Sequence, residues 1–132
     1  MSSSPFYRFV SWAAVLALAL LSLVPGSVRP HTGLPGPAEH FLAYFLTGVL
    51  LGARKRGTAY RIAVVVSLSI ASGIFELLQN FIPGREAGVF DFIVSSAGAA
   101  FGVCAVAIAC HYMCKQRMQK HQRSAPEDVR KR

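Results

Sequence analysis

Charge is scarce in this chain, and acid is scarcer. Only 15% of its 132 residues are charged, with six Asp and Glu against fourteen Lys and Arg, a formal net charge of +8. Soluble domains carry ~25% charged residues, so the chain lacks the solvated surface of a water-borne fold. At 53% hydrophobic, it also holds more apolar surface than one small core can bury, and the excess must face lipid. The length excludes a multidomain enzyme. Cys104, Cys110 and Cys114 are the only cysteines, too few and too clustered for a disulfide framework.

What is present is a series of apolar runs divided by proline, glycine and basic residues. The runs predict helices at about 6–24, 38–53, 60–81 and 89–112, stopped at Pro25-Gly26, Arg54-Lys55-Arg56-Gly57 and Pro83-Gly84, with a basic tail after the last. A bilayer core of ~30 Å takes ~20 helical residues and at least ~17. The second run is marginal, and is expected to pack deep in a bundle or to sit where the bilayer thins. The expected fold is all-α: a polytopic bundle of four transmembrane helices with short loops over 1–112, followed by a disordered cytoplasmic tail over 113–132. A cleaved signal peptide is the rival reading of the first run, but no Ala-x-Ala site follows it and Val24-Pro25-Gly26 is a poor substitute.

The basic residues set the orientation. With a cytoplasmic amino terminus, Arg8, the Arg54–Arg61 group and the tail lie inside, leaving only Arg29 and Arg85 outside. Both termini are then expected to be cytoplasmic. Basic residues broken up by lipid-length apolar runs do not suit a nucleic-acid partner. The bilayer is the expected partner.

In this topology polar residues gather at the outer ends of the helices, where ionisable groups are costly and therefore pair and face inward. His40 and Tyr44, Glu76 and Gln79, and Asp91 and Ser95 are each three or four residues apart, so each pair shares a helix face. Arg85, in the turn after Pro83-Gly84, could clamp the two carboxylates or simply neutralise them. Gly48-x-x-x-Gly52 and Gly98-x-x-x-Gly102 extend two of these faces and are read as helix packing. His40, Tyr44, Glu76, Gln79, Arg85, Asp91 and Ser95 are the candidate site.

That set could run several chemistries. An acid–base role for Glu76 or Asp91 with His40 is conceivable, but no activated nucleophile is evident, which weighs against an enzyme. His40, Glu76 and Asp91 form a His-carboxylate set, yet their spacing is not a metal motif, so neither metal nor cofactor is expected. Cys110-His111-x-x-Cys114 lacks a second cysteine pair and is read as interfacial, and Cys104 as a small packing residue. A pocket for an envelope molecule, with a polar head among these groups and an acyl chain beside them, fits best. The alternatives are a structural subunit that docks to a larger membrane protein complex and, behind it, a membrane-embedded enzyme.

The same residues carry a resemblance. His40-Phe41-x-x-Tyr44, Glu76-x-x-Gln79, Pro83-Gly84-Arg85, Asp91, Gly98 and Gly102 resemble the signature of the VanZ-like family of small membrane proteins, over roughly residues 36–105. Gly36 and Pro37 stand where the family usually has an Asp-Lys pair, and Ser95 where it usually has Asn. The resemblance implies a cell-envelope protein of the bacterial inner membrane with an influence on teicoplanin-type glycopeptide susceptibility. Joined to the pocket read above, the expected function is recognition of a lipid-linked envelope molecule or a glycopeptide at the outer face. Reporter fusions check the orientation: a reporter within 25–37 is expected to be exported and one after Arg56 to stay cytoplasmic, and export of the latter overturns it.

Overall fold

The computed structural model describes residues 4–25, 33–82 and 88–124, and no side chains beyond residue 120. It is all-helical, in the order α1 (Pro5–Leu23), α2 (Gly36–Gly52), α3 (Thr58–Gln79) and α4 (Val89–Ser124). Pro5 and Pro37 sit in the first turns of α1 and α2, where a missing N–H costs nothing and the fixed φ suits the helix. For this reason α2 starts at Gly36, before the expected residue 38. At the other end of α1, Val24 is extended, with ψ 134°, as the residue before a proline prefers.

α4 departs most from expectation. It does not stop near 112 but continues to Ser124, so residues 113–124 are helical. The run from Met113 to Ser124 is rich in Lys, Arg, Gln and Met and holds no Gly or Pro, so its helix propensity stays high. Polarity ends a membrane span without ending a helix. The rest of the expected tail, 125–132, lies outside the described residues.

Side-chain bonds between helices fix their directions. Tyr7 Oη, early in α1, donates to the Leu50 carbonyl late in α2 at 2.7 Å, so α1 and α2 are antiparallel. Gln79 Nε2, at the end of α3, donates to the Ser22 carbonyl at the end of α1 at 3.0 Å, so α1 and α3 are parallel. The Phe41 carbonyl lies over Gly98, and the Phe45 carbonyl, one turn on, over Gly102, so α2 and α4 run the same way.

The α2–α4 contact is made backbone to backbone. A Cβ at Gly48 would lie 2.7 Å from the Ala99 carbonyl oxygen, and one at Gly98 or Gly102 would run into the Phe41 or Phe45 carbonyl oxygen. At Gly52 a Cβ would meet Val103 Cγ2 at 3.3 Å. All four glycines therefore sit where the helices nearly touch.

Polarity is arranged the reverse way to a soluble bundle. The buried side chains among the described residues include Ser11, Thr47, Ser72, Gln79 and Ser95, alongside Leu18, Val64 and Leu68. Outside, Phe9, Trp12, Leu16 and Leu20 of α1 and Ile62, Val66, Ile70 and Ile74 of α3 form exposed apolar stripes. Such stripes have no stable place in water. Pro5–Leu23, Thr58–Gln79 and Val89–Lys120 are each long and apolar enough to cross a membrane, which marks a membrane protein in a lipid bilayer. Ser11 and Thr47 satisfy their hydroxyls on the carbonyls of Tyr7 and Ala43, four residues back, a bond that stays within the helix.

Gly98→Val is expected to force α2 from α4 at a cost of about 1–3 kcal/mol, read as a lower thermal midpoint in detergent. Gly36→Ala, where a Cβ meets nothing within 4 Å, serves as the control that does not lower the midpoint. Equal midpoints for Gly98→Val and wild type would contradict the close contact.

Candidate functional site

Because α2 and α4 run one way and α3 the other, the starts of the first two and the end of the third meet at one end of the bundle. His40 lies just past the first turn of α2, Glu76 in the last turn of α3, and Asp91 in the first turn of α4. One ligating atom from each falls within 4.8 Å of the others. His40 and Glu76 are each 8% exposed, and Asp91 is half-buried. Among the described residues no other trio of His, Cys, Asp or Glu converges in this way.

The backbone orients one of the carboxylates. Gly88 N–H, at the start of α4, donates to Glu76 Oε2 at 3.1 Å. Glu76 and Asp91 thus both lie at the positive end of α4, where its unpaired N–H groups favour negative charge.

A second polar layer lies one helical turn, ~6 Å, deeper. Tyr44 follows His40 by four residues, Ser72 precedes Glu76 by four on the oppositely directed α3, and Ser95 follows Asp91 by four. Tyr44 and Ser72 are 1% exposed and Ser95 is fully enclosed. Tyr44 faces Ser72 and Glu76, yet the hydroxyls of Tyr44, Ser72 and Ser95 make no hydrogen bond of good geometry. A buried hydroxyl without a partner costs ~1–3 kcal/mol, and Ser95 carries that cost in full.

The first layer also borders a cavity. A space of about 320 Å³ is lined by Leu18, Leu21, Leu34, Leu42 and Leu46, with His40 and Tyr44 in its wall. That volume falls at the lower end of small-ligand pockets, ~300–1,000 Å³. Apolar walls with a few convergent polar groups are the usual composition of such sites.

The sequence-derived candidates divide as follows. His40, Glu76 and Asp91 meet at the first layer, and Tyr44 and Ser95 belong to the second. Gln79 is 2% exposed, but its amide is committed to Ser22 and holds α1 in place. Arg85 lies outside the described residues. Gly48, Gly52, Gly98 and Gly102 line the α2–α4 contact below the cluster. Cys104 is exposed rather than packed inside, because it falls on the face of α4 turned away from Gly98 and Gly102. The cavity wall from α1 carried no sequence signal, since a leucine beside a pocket reads like a leucine beside lipid. Ser72 did carry one: it stands four residues from Glu76.

Compared with known proteins, the chain matches no family model, and no curated protein or solved structure is significantly similar to it.

Two substitutions separate scaffold from site. Gln79→Ala removes the α1 tether and is expected to lower the thermal midpoint. Ser95→Ala removes an unpartnered hydroxyl and is expected to leave stability unchanged or higher. A clear loss of stability in Ser95→Ala would show that its hydroxyl is bonded within the protein.

Proposed function

We propose that this chain is a four-span, VanZ-like protein of the bacterial inner membrane that recognises a lipid-linked envelope molecule at its outer face. Supporting the four-span arrangement, α2 has 17 residues, ~25 Å, and lies against α4 while Tyr7 and Gln79 tie both ends of α1 level with its neighbours. Supporting the orientation, the basic groups at Arg54–Arg61 and Lys115–Lys120 fall at the end opposite His40, Glu76 and Asp91, so the positive-inside rule turns the cluster outward. Both termini are then cytoplasmic.

The observation that carries the reading is the sharing of His40 and Tyr44 between the polar cluster and the leucine-lined cavity. A molecule with an acyl or polyprenyl chain and a polar head needs those two environments side by side. Arg85, close in sequence to both Glu76 and Asp91, is assigned to the head group, and Ser95 to hydrogen bonding beneath it. Occupation of such a site by an envelope precursor would alter glycopeptide susceptibility without any bond being broken.

A second reading has its own support. Residues 111–120 of α4 are exposed on every side, a helical surface onto which the chain folds nothing of its own among the described residues. A structural subunit would use it to dock to a larger membrane complex.

Titrating a polyprenyl phosphate into the purified chain in phosphatidylcholine nanodiscs tests the first reading. Ala43→Trp, which fills the cavity, and His40→Ala, which removes a head-group contact, are each expected to weaken binding about tenfold or more, or ~1.4 kcal/mol. Both should remain at wild-type abundance. Wild type binding no more lipid than Ala43→Trp would leave the docking subunit as the better account.

A further inference from the structure

We propose that His40, Glu76 and Asp91 form a binding site for one divalent transition-metal cation of the Zn²⁺ class. The three side chains come from three different helices and bring an imidazole nitrogen and two carboxylate oxygens within 4.8 Å of one another. A tetrahedral Zn²⁺ with bonds of ~2.0–2.2 Å holds its ligand atoms ~3.4 Å apart. Small side-chain rotations therefore close the trio onto an ion, with no helix movement. Two carboxylates and an imidazole match the charge and donor preference of a divalent cation at a depth where ionisable groups are costly.

Two further features suit a cation. Gly88 N–H orients the Glu76 carboxylate from behind, as outer-shell partners do at metal sites. The hydroxyls of Tyr44 and Ser72, which face one another, and that of Ser95, buried and without a partner, lie one turn beneath the trio. Three protein ligands leave a fourth position on a tetrahedral ion, and those hydroxyls offer hydrogen bonds to whatever fills it. The donor set discriminates among cations: Ca²⁺ takes six to eight oxygen ligands and Mg²⁺ a near-ideal octahedron, whereas one imidazole with two carboxylates suits Zn²⁺. The metal site stands on this geometry alone. That its fourth position takes a phosphate oxygen of the bound lipid rests on the reading given above.

The test is a Zn²⁺ titration of the full chain, purified without a histidine tag, in nanodiscs against a chromophoric chelator. Wild type and Cys110→Ser/Cys114→Ser are expected to bind one equivalent, and excess Mg²⁺ to leave binding intact. His40→Ala and Asp91→Asn are expected to lose at least about 100-fold in affinity. Zn²⁺ should also raise the thermal midpoint of wild type, as a ligand of the native state does, which serves if a variant fails to fold. No stoichiometric binding by wild type, binding that survives His40→Ala, or binding lost with the two cysteines would each overturn the proposal. The lipid titration repeated with and without Zn²⁺ separates the two ideas. Metal bound but no lipid ends the recognition reading alone, and lipid bound but no metal ends this one alone.

Discussion

The close approach of α2 to α4 sets every other distance in the bundle. A Cβ at Gly98 or Gly102 would occupy the space of a carbonyl oxygen on the facing helix, so the two backbones are as near as helices come. In lipid there is little hydrophobic gain in bringing apolar helices together, and dispersion between closely fitted surfaces has to supply the attraction. The glycines provide that fit. They also fix the height of α2 relative to α4, and therefore the height of His40 relative to Asp91. α3 then needs only to run the opposite way for Glu76 to arrive at the same level.

This arrangement explains why the interior can be polar. An apolar exterior costs nothing against acyl chains, and a serine or glutamine inside needs a partner that water will not provide. Ser11 and Thr47 find theirs on their own helices, and Gln79 finds one across the bundle on α1. Ser95, Ser96 and Nε and Nη2 of the Arg61 guanidinium find none, while Tyr44 faces Ser72 and Glu76 one turn beneath the only converging His-carboxylate trio among the described residues.

Much of this was legible in the sequence because membrane helices obey few rules. Lipid-length apolar runs and the prolines at 25 and 83 place the helices, and spacings of three and four residues assign faces. Opposite chain directions then put His40, Glu76 and Asp91 at one end. The end of α4 was misread because a fall in hydropathy at Lys115 was taken as the end of a helix, when it marks only the end of a span. Cys104, expected to pack as a small residue, is exposed, because residue size alone does not say which face of a membrane helix a position occupies. The leucine cavity and the tethering carbonyls of Ser22 and Leu50 were invisible: the first depends on how far α1 stands from α2, the second on main-chain atoms every residue possesses.

That last point reaches beyond the fold. Four of the contacts joining the helices run from a particular side chain, or from the lack of one, to an anonymous backbone atom: Tyr7 to the carbonyl of Leu50, Gln79 to that of Ser22, Gly98 and Gly102 to those of Phe41 and Phe45. One member of each pair is fixed by chemistry while the other is free to drift. Evolution would record these junctions as lone invariant positions without correlated partners. Pairwise co-variation, the usual statistical trace of neighbouring residues, would be nearly silent at the contacts that hold this bundle together.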